Sequence, residues 1–317
     1  VIIYTRSSLV EQTTPFAIAL TDNVASVSGI LHVDGDLDSL ELGGAIFWTP
    51  PSSTAQVLQY HVYLAEGSAG ENRTQLGTSF VGTNSFFMSV DTALASHTHL
   101  VVYTRSGLVE QTTPVMFTIS DVDASVSALS FTDQDLDAAE LGGMATWQEP
   151  ADTTQVTHYI AYLATNTDGQ SASQIGASLA VGTTSVLLPA ESAKASYSHV
   201  VVYTKSGIAE QTTPIAVQVN DTVSPFSALN FPDADLDGGE IGGNVTWVAD
   251  RDVSQVTHYA AYLAKSNAGA ERSQLGADVA EGTNMVAFNA DTPRAVWSHV
   301  LVYAKSALAW QTTPFSL

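Results

Sequence analysis

The sequence predicts an all-β chain of tandem antiparallel sandwiches, on three observations. Marker segments return at steps of 99, 100 and 100 residues. Within each copy, apolar side chains alternate with period two. Turn-forming residues separate the alternating runs, and no run sustains the helical period of about 3.6.

The repeat rests on two markers. Tyr4-Thr5-Arg6-Ser7 returns as Tyr103-Thr104-Arg105-Ser106, Tyr203-Thr204-Lys205-Ser206 and Tyr303-Ala304-Lys305-Ser306, and Gln12-Thr13-Thr14-Pro15 returns at 111–114, 211–214 and 311–314. Both occur four times, whereas Trp48, Trp147 and Trp247, or Gly82, Gly182 and Gly282, mark only three copies. Residues 1–20 therefore read as a partial repeat, the last two strands of a sandwich, followed by complete sandwiches at 21–120, 121–220 and 221–317. A period near 100 is too long for a solenoid and matches a small all-β domain. The residue missing from the first step falls between Gly77 and Gly82, which marks a loop.

Each strand then follows in order. After a Gly-Gly pair, Ile46 with Trp48, Ala145 with Trp147 and Val245 with Trp247 share a face. Tyr60, Val62 and Leu64 mark the next strand, matched by Tyr159, Ala161, Leu163 and by Tyr259, Ala261, Leu263. The last strand alternates Phe16, Ile18, Leu20, then Val115, Phe117, Ile119, then Ile215, Val217, Val219. Leu100-Val101-Val102-Tyr103 and its two later copies are apolar on both faces, so the outer face is either a partly exposed sheet or a contact with a neighbouring protein. Gly82-Thr83, Pro189-Ala190 and Lys205-Ser206-Gly207 supply turns.

These segments resemble the fibronectin type III family, an immunoglobulin-like β-sandwich found in tandem on many extracellular proteins. Val245-Thr246-Trp247 is similar to its second-strand tryptophan and Tyr259-Ala260-Ala261-Tyr262 to its third-strand tyrosine pattern. Val186-Leu187-Leu188-Pro189 followed by Tyr197-Ser198-His199-Val200-Val201 is similar to its tyrosine-corner region, where the copies read His97, Tyr197 and Trp297. The resemblance implies modules that bind or space things apart, outside the cell or on its surface.

Composition excludes several functions. Hydrophobic residues make up 45% of the 317, too many for a disordered tail. With 10 Lys and Arg against 32 Asp and Glu, the formal net charge is −22, which leaves little to neutralise phosphates and argues against nucleic acid. The chain has no cysteine, hence no disulfide, thiolate metal site or cysteine nucleophile. No apolar run reaches the length of a membrane span. The opening Val1-Ile2-Ile3-Tyr4 has neither Met nor a basic region, which suggests a processing site or a cut within a longer chain.

The sharpest local pattern is Asp34, Asp36, Asp38 and Glu41, repeated as Asp133, Asp135, Asp137, Glu140 and as Asp233, Asp235, Asp237, Glu240. In an extended segment the three aspartates fall on one face, while Leu37, Leu136 and Leu236 point the other way into the core. Such oxygen density suits Ca²⁺, and the alternative is a solvated acidic edge that keeps sheets from pairing. The segment is not an EF-hand, because its twelfth positions are Ala45, Met144 and Asn244. A boundary acid recurs at Asp22, Asp121 and Asp221, as a turn cap or a shared cation ligand. His99, His199 and His299 share a phase with no partner cluster, so they read as satisfied strand residues, and no catalytic residue or organic cofactor is expected. Asn72, Asn220 and Asn244 head N-glycosylation sequons, and the Gln-Thr-Thr-Pro segments are open to O-glycans or to a plain edge strand.

The function expected is a non-enzymatic structural one: an extracellular or cell-surface filament or stalk whose partners are copies of itself. The alternative is a calcium-dependent adhesin or a carbohydrate-binding array. Ile2, Tyr4, Phe16, Ile18 and Leu20 make residues 1–20 an apolar ribbon, marginal alone in water, and are the expected assembly contacts.

Overall fold

A computed structural model describes residues 1–224, 226–249 and 252–317. The chain divides into two compact units, Val1–Asp34 with Leu40–Asp121, and Gly35–Ser39 with Val122–Leu317.

In the first unit, Glu41–Thr49 lies between Ser28–His32 and Ser85–Ala93 in a three-stranded sheet. A four-stranded sheet runs Thr74–Phe80, Val57–Ala65, His99–Ser106, Val115–Thr118. All pairings are antiparallel. Leu42, Ile46 and Trp48 from the first sheet meet Tyr60, Val62, Leu64 and Leu100 from the second, so the core lies between the layers. The second unit repeats the arrangement twice, around Glu140–Gln148 with His158–Ala164 and around Glu240–Ala249 with His258–Ala264. These are tandem antiparallel β-sandwiches, and the described residues contain no helix.

Period two fixes the cores. In each repeat a tryptophan meets the third-strand tyrosine edge-on, at 5.3 Å for Trp48 and Tyr60, 5.8 Å for Trp147 and Tyr159 and 5.5 Å for Trp247 and Tyr259. The Gly-Gly pair before each tryptophan sits at a register shift. There Gly143 has φ 154°, and a Cβ would lie 2.3 Å from the Thr132 carbonyl oxygen, so only glycine fits the bulge.

The doubly apolar strand is covered by its own repeat, which corrects both expectations for its outer face. Tyr63 and Tyr103 pack edge-on at 5.6 Å beside buried Val101 and Ala65. The Arg73 guanidinium lies 4.5 Å and 4.2 Å from their ring centres and pairs with Glu110 at 2.8 Å. His61 and the Tyr63 hydroxyl also bond to Glu110, and burial together with that carboxylate pushes the Tyr63 phenol up to about 12. Arg272 repeats the cover over Tyr262 and Tyr303.

Residues 1–20 form a two-stranded ribbon pairing Ile2 with Ala17 and Ile3 with Phe16. Ile2, Tyr4, Phe16, Ile18 and Leu20 are all exposed on it.

Candidate functional site

The acidic segments are not extended strands. Residues 132–136 are irregular and lead into a turn, because Asp133 and Asp135 each cap the backbone two residues on and so replace a sheet partner. Asp133 accepts the Asp135 amide at 3.1 Å, and Asp135 accepts the Asp137 amide at 3.0 Å. Asp133 also takes the amides of Gly142 and Thr222, and Asp135 takes that of Glu191 at 2.6 Å. Burial pushes the Asp133 carboxyl up, and the three backbone amides aimed at it hold it down in part.

The leucine within the loop leaves its own repeat, which corrects the expectation that it enters its own core. Leu136 is 2% exposed and belongs to the cluster of Phe226, Trp247, Val256, Tyr259 and Val302 in the third repeat. Its carbonyl accepts Gln311 Nε2 at 3.2 Å and the Ser224 amide at 3.3 Å. Next to it, the Asp137 carboxylate accepts the amides of Thr312 and Thr313 at 2.6 and 2.9 Å, with both threonine hydroxyls also on it. Leucine, carbonyl and carboxylate form a three-point plug, seated by a glutamine and a Thr-Thr pair.

The second unit holds a second plug. Leu37, in Gly35–Ser39, is 2% exposed among Ala124, Trp147, Val156 and Tyr159. Its carbonyl accepts Gln211 Nε2 at 2.7 Å and the Ala124 amide at 3.2 Å, while Asp38 accepts the amides of Thr212 and Thr213 at 2.7 and 3.0 Å. Asp36 accepts the Asp38 amide at 3.1 Å. Within the first unit, Asp34 accepts the Gly43 amide at 2.9 Å, and Glu41 is half-buried at its strand's start.

The third loop has the same internal build, and among the described residues nothing is seated on it. Asp233 accepts the amides of Asp235 and Gly242, and Asp235 those of Asp237 and Asp291. Leu236, however, is 97% exposed. Six of the nine aspartates, those of the first two loops, are only 2–3% exposed, so those loops are not a solvated edge.

Among the described residues, two carboxylate groups converge in the second unit. Asp135, Asp137, Glu140 and Glu191 each place an oxygen within 4.8 Å of the others, as do Asp235, Asp237, Glu240 and Asp291. The sequence reading missed Glu191 and Asp291, whose signal was an acid recurring in phase at 91, 191 and 291. Both sit in left-handed turns, at φ 63° and 60°, that aim the side chain at the loop. Asp133 and Asp233 fall outside these groups and act as loop caps. Burial, the Glu140 carboxyl and the charges of Asp135 and Asp137 raise Glu191 to about 7, whereas the Asp237 and Asp291 amides lower Asp235. Such oxygen sets fit a hard divalent cation.

The boundary acids bind backbone: Asp121 accepts the Leu40 amide at 2.9 Å and Asp221 the Ala139 amide at 3.0 Å. His99, His199 and His299 each share a hydrogen bond with the preceding Thr or Ser hydroxyl, at 2.7–2.8 Å. Asn72, Asn220 and Asn244 are exposed, and Asn72 donates to Glu66 at 2.6 Å. No helix among the described residues is long and apolar enough to cross a membrane.

No family model matches the chain, and no curated protein does. Among solved structures, the chicken CNTN1 FN1-FN3 domains are similar at 11% identity, over 92% of this chain and 97% of that one, with a TM-score of 0.28.

Proposed function

We infer that this chain is a non-enzymatic structural array: sandwiches strung as an extracellular filament or stalk, with Ca²⁺ stiffening the joints. The plug at Leu136 and Asp137 carries this reading, because it anchors one repeat inside the core of the next, where a flexible linker would leave the two free. Ca²⁺ is the ion of choice, since a hard cation that takes six to eight oxygens tolerates the irregular geometry of four carboxylates. An extracellular setting would supply the ion and the glycosylation of Asn72, Asn220 and Asn244, all exposed. The partners proposed are further copies of the same chain.

Thermal melting of the single chain in chelator and in millimolar calcium tests the metal part. Four carboxylates this close repel, so the ion binds the folded form and stabilises it by about 2.7 kcal/mol at a hundred times its dissociation constant. For sandwiches of this size that is a rise on the order of 10 °C. Identical curves in the two conditions would remove calcium from the account.

A further inference from the structure

The second unit contains two filled seats, and the first unit contains a third at the same repeat phase. Its parts are Ala25, Val57, Thr104 and Gln111, which with Val109 line a cavity of about 190 Å³. In the filled seats the corresponding residues Ala124 and Val156 touch the Leu37 cluster, and Gln211 holds its carbonyl. The glutamine is already in the seating pose. Gln111 accepts the Thr104 amide at 3.2 Å and donates to Ser26 Oγ at 2.9 Å, as Gln211 accepts the Thr204 amide at 3.1 Å and donates to Ser125 Oγ at 3.1 Å. What differs is cover. Ser206 and Ser306 are 3% and 1% exposed but Ser106 is half-buried, and Leu108 at the hairpin tip is 91% exposed. Its counterpart Leu308 packs over Gly142 beside the Leu136 plug.

The matching plug is the loop of the third repeat. It keeps the aspartate-to-amide bonds of its seated counterpart, so its shape does not depend on a partner, and association loses little freedom there. Resting on the array reading above, we propose that residues 233–237 of one copy plug into the cavity of a second copy. Leu236 enters beside Ala25 and Val57, its carbonyl takes Gln111 Nε2, and the Asp237 carboxylate takes the amides and hydroxyls of Thr112 and Thr113. Leu108 of the second copy lands on Gly242 of the first, where Ala290 Cα at 2.7 Å from any Cβ makes glycine obligatory. Plug and seat are different surfaces, so the contact is head-to-tail and propagates as an open chain.

The test is sedimentation velocity of the full chain over a concentration series, with two surface variants. Leu236→Asp destroys the plug, and Thr113→Asp sets a charge against Asp237 in the seat. Both sites are exposed, so each variant keeps the wild-type melting temperature. Wild type is expected to lengthen as concentration rises, and each variant alone to associate about 100-fold more weakly or worse. Mixed one to one, the variants keep one good plug and one good seat, so they pair and stop at two chains. As a direct reading, Thr113→Cys with Asp237→Cys in a chain that has no native cysteine is expected to give a disulfide ladder under oxidation. A wild type that stays single, variants that associate like wild type, or a mixture that fails to stop at pairs would overturn the proposal. The joint that carries the array reading, Leu136 in the core of the third repeat, lies within a single chain and is read separately by Leu136→Ala, so failure of the seat is distinguishable from failure of the array.

Discussion

Replacing Leu136 by alanine is expected to loosen the third repeat, although the residue belongs to the second. The side chain is 2% exposed in the Trp247 and Val302 cluster, so the substitution removes three carbons from that core. At about 0.8 kcal/mol per buried methylene the transfer loss is about 2.4 kcal/mol, and the cavity left behind brings the total to about 3–4 kcal/mol. For a sandwich near 100 residues, that lowers the melting temperature by on the order of 15 °C. Hydrogen exchange locates the loss: amides in His258–Ala264 and His299–Lys305 should lose protection, while those in Glu140–Gln148 keep theirs. Leu236→Ala is the internal control, since a side chain 97% exposed should change stability by no more than about 0.5 kcal/mol. Loss confined to the second repeat, or an equal loss from Leu236→Ala, would refute the plug.

Two further outcomes follow from the same geometry. Asp137→Asn leaves the shape of the plug but removes the charge that holds two amides and two hydroxyls, so the third repeat is expected to lose about 2 kcal/mol in thermal or urea melts. Asp237→Asn, on the unseated loop, should leave the single chain unchanged. Glu191 titrates at about 7 in the folded chain against an ordinary 4.5, so its charge costs stability. That cost is absent below about pH 4.5, grows across the window and is complete above about pH 7. In chelator, Glu191→Gln should therefore raise the melting temperature near pH 8 and leave it unchanged near pH 4, and equal shifts at both would show that the charge is not the cause.

The sandwiches were legible because strand period and buried-face alternation are local. Trp48, Trp147 and Trp247, with Tyr60, Tyr159 and Tyr259, carry the core in the sequence as they do in the structure. Leu37 and Leu136 were legible as apolar and inward, but periodicity says nothing about which core receives them, and Leu236, read the same way, is 97% exposed. Leu136 is bound by Gln311, 175 residues on, a separation that no local pattern encodes. A signal did exist in the motif counts: the Gln-Thr-Thr-Pro seat occurs four times and the Asp-x-Asp-Leu-Asp plug three times, the first two plugs each preceding a seat by nearly two periods. The outer cover was missed for a similar reason, since Arg73 reaches Tyr63 and Tyr103 only after a turn folds back over the sheet.

Negative-stain imaging of the native material tests the central claim most directly, with parallel grids in calcium and in chelator. Unbranched fibres or stalks of beads, one bead per repeat, straight in calcium and bent or shortened in chelator, are predicted. Compact single particles, the same in both conditions, would contradict it.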